Sequence, residues 1–232
     1  TTWAELLKLK KESIIIKFIT QYLPVQRITA WQHIVDRMPS NIFSFCRRAL
    51  ILALPTKANL KTWNLINSNQ CSLCMKSSGT QHHILNNCSK AVDEGRFTWR
   101  HDSVLYTMGY HLQKLLNKGY ELFIDIPDYT TPGNLFQSQR PDIAFKLGND
   151  VYVVELTVCF ETNFEKSRRF KETRYEYLKE NLKNKNHNLK TFYVEFSSLG
   201  FCSTNIIELN RLLRKMDVDV RRMIEICSEV CI

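Results

Sequence analysis

The chain has 232 residues, enough for one large unit or two to three small ones at a typical domain size of ~150. Hydrophobic residues at 44% and charged residues at 24% exclude a wholly disordered, collagen-like or coiled-coil chain. The 32 Lys and Arg outnumber 23 Asp and Glu by nine, and the surplus is local: residues 1–100 carry 14 basic and 5 acidic side chains, residues 101–232 carry 18 of each. Such a confined excess is the footprint of a polyanion-binding segment, because Lys and Arg gain affinity by releasing counterions from phosphate backbones.

Residues 1–70 read as a helical, basic linker. They open without an initiator Met or signal peptide, in an apolar and basic periodic stretch, so we expect a fragment of a longer polypeptide. No apolar run reaches the roughly 18 residues that span a bilayer, and no membrane partner is expected. Arg47, Arg48, Lys57 and Lys61 interleave with Phe43, Phe45 and Trp63, combining phosphate contacts with stacking surfaces suited to RNA or single-stranded DNA. The competing reading is an amphipathic helix whose aromatics are core and whose basic face is solvated.

Residues 71–99 form a predicted zinc knuckle. Cys71 and Cys74 lie close enough to chelate one ion across a tight turn, and Cys88 with His83, or alternatively His82, completes a closed tetrahedral shell. His83 is preferred because Ile84 and Leu85 follow it directly. A closed shell leaves no open position for substrate, so this zinc is structural. Cys46, Cys159, Cys202, Cys227 and Cys231 read as buried or incidental thiols in a reducing intracellular compartment.

Residues 100–232 change period. A helix over His101–Lys118 carries Leu105, Met108, Leu112 and Leu115 on one stripe. Strands follow over Glu121–Pro127, Arg140–Leu147 and Asp150–Phe160, the last two flanking the hairpin signal Gly148-Asn149. Thr162-x-x-Glu165 predicts a capping box at the start of a helix to about Asn184. A strand over Leu189–Ser197 and helices from about Thr204 and Val218 complete the order α-β-β-β-α-β-α, an α/β fold with a mixed central sheet flanked by helices.

A two-residue turn at Gly148-Asn149 pairs Leu147 with Asp150 and sets Asp142 opposite Glu155. Glu155 sits in a nearly continuous apolar strand, so the pair should be buried, and buried facing carboxylates must share a proton or bind a cation. Oxygen ligands favour Mg2+ or Mn2+. At about 100° per residue Phe164, Lys171, Tyr175, Leu178 and Leu182 share one face of the next helix, which makes Lys171, rather than Lys166, the cation that reaches the pair. The competing reading pairs Glu155 with an Arg and gives Asp142 a turn-capping role.

Arg140-Pro141-Asp142 followed by Val153-Val154-Glu155 resembles the PD-(D/E)XK nucleases, with Thr157 where their lysine is expected. The pattern is similar to the restriction-like endonuclease of non-LTR retrotransposon polyproteins, especially elements that insert into ribosomal RNA genes, in which that lysine is displaced to the next helix as Lys171 would be. Ala53-Leu54-Pro55 before Trp63 is similar to that family's linker motif H-I-N-A-L-P, with Leu50 and Leu52 in place of His and Asn; the knuckle and Arg100-His101-Asp102 follow in the family's order. The resemblance covers about residues 46–180. It implies a Mg2+- or Mn2+-dependent DNA endonuclease with Asp142, Glu155 and Lys171 catalytic, which nicks target DNA to prime reverse transcription of a retrotransposon RNA. It also implies action in the nucleus and a reverse transcriptase upstream in the same polypeptide, although polymerase motifs are not in these residues. Arg100 is a further expected nucleic-acid contact, Arg100 or Asp102 a candidate to complete the site, and His101 falls in the apolar stripe. The alternatives are a non-catalytic nucleic-acid-binding scaffold or a zinc-stabilised protein-interaction domain.

Overall fold

The computed structural model describes residues 34–127, 135–136 and 139–232; the amino-terminal half of the predicted linker lies outside them. Among the described residues no helix is long and apolar enough to cross a membrane.

The linker contributes α1 (Ser40–Leu50) and α2 (Lys57–Thr62). Thr56 caps α2 by accepting from the Asn59 amide, while the Asn59 side chain donates to the carbonyls of Leu52 and Leu54 at 2.6 and 2.7 Å. This clamp fixes the Ala53-Leu54-Pro55 bend. The knuckle follows as a turn, a π-helical segment His83–Asn87 and the short α3 (Ser89–Asp93).

Helix α4 runs over Arg96–Leu112 and tightens into a 3-10 segment, Gln113–Lys118, so the predicted helix begins five residues earlier and is not α-helical throughout. The strands β1 (Glu121–Ile124), β2 (Ile143–Leu147), β3 (Asp150–Cys159) and β4 (Asn188–Ser197) form one sheet in the order β1-β2-β3-β4. The first two pairings are antiparallel, and β3 with β4 is parallel across α5 (Phe164–Asn184), so the sheet is mixed as expected. Helices α6 (Ile206–Lys215) and α7 (Val220–Cys231) end the chain.

β2 begins later than predicted because Pro141 has no N–H to donate to a ladder. Leu147 does pair with Asp150 across the turn, where Gly148 at φ 58° adopts the left-handed conformation a tight hairpin needs. The capping box does not form: Thr162 lies in a 3-10 turn, Glu161–Asn163, and Asn163 enters α5 in the helical region without a side-chain cap.

Strand alternation assigns the faces. Ile143, Phe145, Val154 and Leu156 pack with Leu105, Met108 and Leu112 of α4 and with α6 and α7. Ala144, Val151 and Val153 face the other way, under Tyr175, Leu178 and Leu182 of α5. Each buried Leu or Val contributes ~1.5–3 kcal/mol, which fixes α4 and α5 on opposite faces. A third cluster joins Ala49 and Leu54 of the linker to Phe160, Leu199 and Phe201 at the far end of β3 and β4.

Candidate functional site

Because Glu155 falls in register with Val151 and Val153, it points to the α5 side, and it is 1% exposed. Asp142 precedes β2 on the same side and is locked to Glu155's strand by two bonds. Its amide donates to Glu155 Oε1 at 3.2 Å, and its Oδ2 accepts from the Leu156 amide at 2.7 Å. Lys171, one helical face with Tyr175, brings Nζ within 2.8 Å of Asp142 Oδ2 and 2.9 Å of Glu155 Oε2, and also donates to the Leu156 carbonyl. The structure thus brings Asp142, Glu155 and Lys171 together. The alternative partners, an Arg for Glu155 and a turn cap for Asp142, are not what these atoms engage.

Two neighbours had no role in the sequence reading. The Tyr175 hydroxyl donates to Glu155 Oε1 at 2.5 Å. His101 Nε2 lies 3.8 Å from Asp142 Oδ2, and its Nδ1 3.1 Å from Asp102 Oδ1, so His101 belongs to the site's rim rather than to the apolar stripe. The Tyr175 position was legible from the helical face it shares with Lys171; nothing local announced His101.

The electrostatics follow from crowding in a poorly solvated place. Burial opposes charge on Asp142, but His101 and Lys171 outweigh it and hold its carboxyl below the usual range. Burial and the Asp142 charge push Glu155 up, with Lys171 and Tyr175 offsetting only part. For Lys171 the two carboxylates outweigh burial and raise its pKa, keeping the ammonium charged. His101 is raised likewise, Asp142 outweighing burial. Two carboxylate oxygens, each within 3 Å of one ammonium, make a cation cradle, and this donor set fits a hard divalent ion.

The remaining acids on this face are used otherwise. Glu195 of β4 sits beside Thr157 and is satisfied by Arg168 at 3.3 Å, Asn205 at 3.0 Å and the Ser203 hydroxyl. Glu161 is fully buried with neither oxygen hydrogen-bonded among the described residues, and burial pushes it up to about 7.

At the knuckle, one ligand atom from each of Cys71, Cys74, His83 and Cys88 lies within 4.8 Å of the others. Cys74 Sγ is 3.3 Å from His83 Nε2, and Cys71 Sγ is 4.0 Å from Cys88 Sγ. A tetrahedral zinc with Zn–S ~2.3 Å and Zn–N ~2.0–2.1 Å separates its ligand atoms by roughly 3.5–3.8 Å, so these edges bracket the expected values. His82 is turned away, its Nδ1 3.0 Å from Asn87 Nδ2 and its ring edge-on to Phe160, which decides between the two histidines. The Lys76 amide leads the groups that lower the Cys74 thiol to about 6, the thiolate form a metal takes. All eight cysteines are free thiols.

The knuckle is fastened on both sides. A Cβ on Gly79 would meet Lys57 Cβ at 3.1 Å and Cys71 Cα at 3.2 Å, so a larger residue would push α2 or the Cys71 turn aside by a few tenths of an ångström. Gln81 Nε2 donates to the Ala49 carbonyl at 2.9 Å. Arg100, expected to contact nucleic acid, donates to the Leu85 carbonyl at 3.1 Å and lies over the Phe97 ring; its guanidinium is engaged within the chain. Arg47, Arg48, Lys57 and Lys61 are exposed, as are Phe43 and Trp63, whereas Phe45 packs into the third cluster.

Residues 3–93 match the protein family described as zinc-binding in reverse transcriptase. This segment is similar to that zinc-binding family. It contains the Cys71, Cys74, His83 and Cys88 cluster, which could hold zinc, and most of the basic surplus, and its similarity suggests a zinc-binding, nucleic-acid-related retroelement region. Among curated proteins the chain has no match.

Proposed function

We propose that the chain is the linker (1–70), CCHC zinc knuckle (71–99) and PD-(D/E)XK-type endonuclease (100–232) of a non-LTR retrotransposon polyprotein. In this reading it acts in the nucleus, nicking target DNA to leave a 3′ hydroxyl that primes reverse transcription of the element's RNA by the polymerase upstream. The observation that carries it is the meeting of Asp142, Glu155 and Lys171 at the end of a mixed sheet, with Lys171 arriving from the following helix. The reverse-transcriptase-type zinc region in the same chain supplies the biological setting.

Asp142 and Glu155 would hold Mg2+ or Mn2+, which when bound lowers the pKa of a water and offsets charge on the phosphate. Tyr175 and the Asp142 amide fix Glu155 Oε1, leaving Oε2 facing Lys171 and the cradle. Lys171 holds the two carboxylates together, and with a divalent ion bound it would stand beside them to orient a nucleophilic water or offset developing negative charge. His101, beside Asp142 and oriented by Asp102, is suited to contact the phosphate or leaving oxygen at the rim. Arg47, Arg48, Lys57 and Lys61, on the exposed face of the linker, would bind the RNA or DNA backbone. Cutting by this site would be nonspecific, with target choice set elsewhere.

Supercoiled plasmid incubated with the full chain and Mg2+ should convert to the nicked form, and Asp142→Ala should bind it without nicking. Equal nicking by both proteins would refute the assignment.

A further inference from the structure

Glu161 serves neither the acid site nor the knuckle. It is fully buried in the 3-10 turn after β3, and neither of its carboxyl oxygens is hydrogen-bonded among the described residues. Buried polar groups are normally paired, and a bare buried carboxylate is costly enough that the group keeps its proton instead. Burial accordingly pushes this carboxyl up to about 7, with only a partial offset from Ser197.

The position matters as much as the burial. Glu161 follows Phe160, which packs with Leu199 and Phe201 against Ala49 and Leu54 of the linker, and whose ring the His82 ring of the knuckle meets edge-on at 4.7 Å. Ser197 Oγ sets the turn that presents Leu199 and Phe201, accepting from both their amides at 3.1 Å. The same junction leaves Gln81 Oε1 and Ser198 Oγ buried and unpaired, although Gln81 Nε2 donates to the Ala49 carbonyl. The surface by which linker and knuckle rest on the sheet's end is thus apolar at its centre and under-satisfied in hydrogen bonding, so it opens more readily than a fully paired core.

No neighbouring charge offsets an ionised Glu161. From β3 the Cys159 thiol faces it, pushed up to about 12 by burial and therefore neutral. Glu195 of β4 is held by Arg168 of α5, and Glu165 pairs with Arg169 at that helix's exposed start. Arg100 donates to the Leu85 carbonyl, His82 Nδ1 meets Asn87, and Arg47 and Arg48 of α1 are exposed. A charge on Glu161 can be hydrated only by lifting the Ser197 turn, which withdraws Leu199 and Phe201 from Ala49 and Leu54.

We propose that Glu161 is a proton-operated latch: protonated, it lets the end of the sheet close on the linker and knuckle, and ionised, it releases them. The latch is independent of the acid site, since neither Asp142 nor Glu155 takes part.

The test is hydrogen exchange, read by mass spectrometry on the full zinc-loaded chain at pH 6 and pH 8, with each rate divided by the intrinsic rate at that pH. A carboxyl titrating near 7 when closed and near 4.5 when open lowers protection of residues 45–54 and 197–203 by roughly tenfold between the two pH values, while residues 143–158 keep theirs. Glu161→Gln, which is neutral throughout, and Glu161→Met, which places an apolar chain there, should each abolish the pH-dependent fall. Equal protection of the native junction at both pH values overturns the latch, as does a fall shared by both variants or one that extends equally over residues 143–158. Zinc content should be the same at both pH values; zinc lost in parallel with protection would assign the opening to the knuckle and likewise overturn it.

Discussion

Replacing Lys171 with Met removes the only cation within 3 Å of either Asp142 or Glu155 among the described residues while keeping most of the side chain's volume. The side chains of Lys171, Asp142 and Glu155 are 19%, 14% and 1% exposed, so solvent cannot replace the lost ammonium. Breaking a buried pair on one side typically costs ~3–5 kcal/mol. Spread over a domain of this size, that corresponds to a fall in Tm of roughly 6–20 °C. The loss should grow as pH rises and both carboxylates become charged, and should shrink as pH falls and Glu155, whose pKa burial raises, takes up a proton. A divalent ion should restore what the ammonium supplied, so millimolar Mg2+ should raise the Tm of the variant more than that of the native chain. Thermal melts of both proteins at pH 6 and pH 8, with and without Mg2+, measure all of this. A loss below about 1 kcal/mol, of the size of a surface ion pair, would refute the buried cradle.

Three further outcomes follow from separate regions. Cys74→Ser should lower bound zinc far below one per chain by metal analysis and melt the 71–99 segment in hydrogen exchange, because a loop this poor in apolar residues depends on its metal. Glu161→Gln should flatten the pH dependence of stability. A carboxyl raised from 4.5 to about 7 contributes stability that is complete below its unfolded pKa and is lost as pH rises through 7, so the variant should gain up to ~3 kcal/mol over the native chain at pH 8 and little at pH 5; an equal difference at both pH values contradicts this. Asn59→Ala leaves the Leu52 carbonyl without its side-chain donor, while the Leu54 carbonyl keeps the Thr56 amide, and should cost about 1–3 kcal/mol in urea unfolding, whereas no change would mean that water reaches the Leu52 carbonyl.

The parts legible in the sequence were those set by local periodicity. The hairpin register followed from a two-residue turn and the strand period, which carried Asp142 to Glu155; the helical period carried Lys171 to the same face. The choice of His83 over His82 had only a faint sequence cue and was settled by packing, because Phe160 from a distant strand end holds the His82 ring. His101 looked like core on its own helix and became part of the site only because α4 meets the sheet where Asp142 leaves it. The apparent capping box failed for a related reason: Phe160 is buried against Ala49 and Leu54 of the linker and Leu199 and Phe201 beyond β4, and the chain passes through a 3-10 turn before α5 begins. Arg100 was expected at nucleic acid through the Arg100-His101-Asp102 stretch, and the fold gives its guanidinium the Leu85 carbonyl and the Phe97 ring as neighbours, which no local signal announced. Charge and motif spacing are local properties, whereas the partner that claims a side chain is a property of the fold.

The most direct measurement is cleavage of an end-labelled duplex by the full zinc-loaded chain, followed by extension of the product with a DNA polymerase. The account predicts Mg2+-dependent nicks whose 3′ ends extend, formed by the native chain and abolished in Asp142→Ala and Glu155→Gln with DNA binding retained. Nicking that persists in both variants, or a native chain that binds the duplex and leaves it intact with Mg2+ and Mn2+, would contradict it.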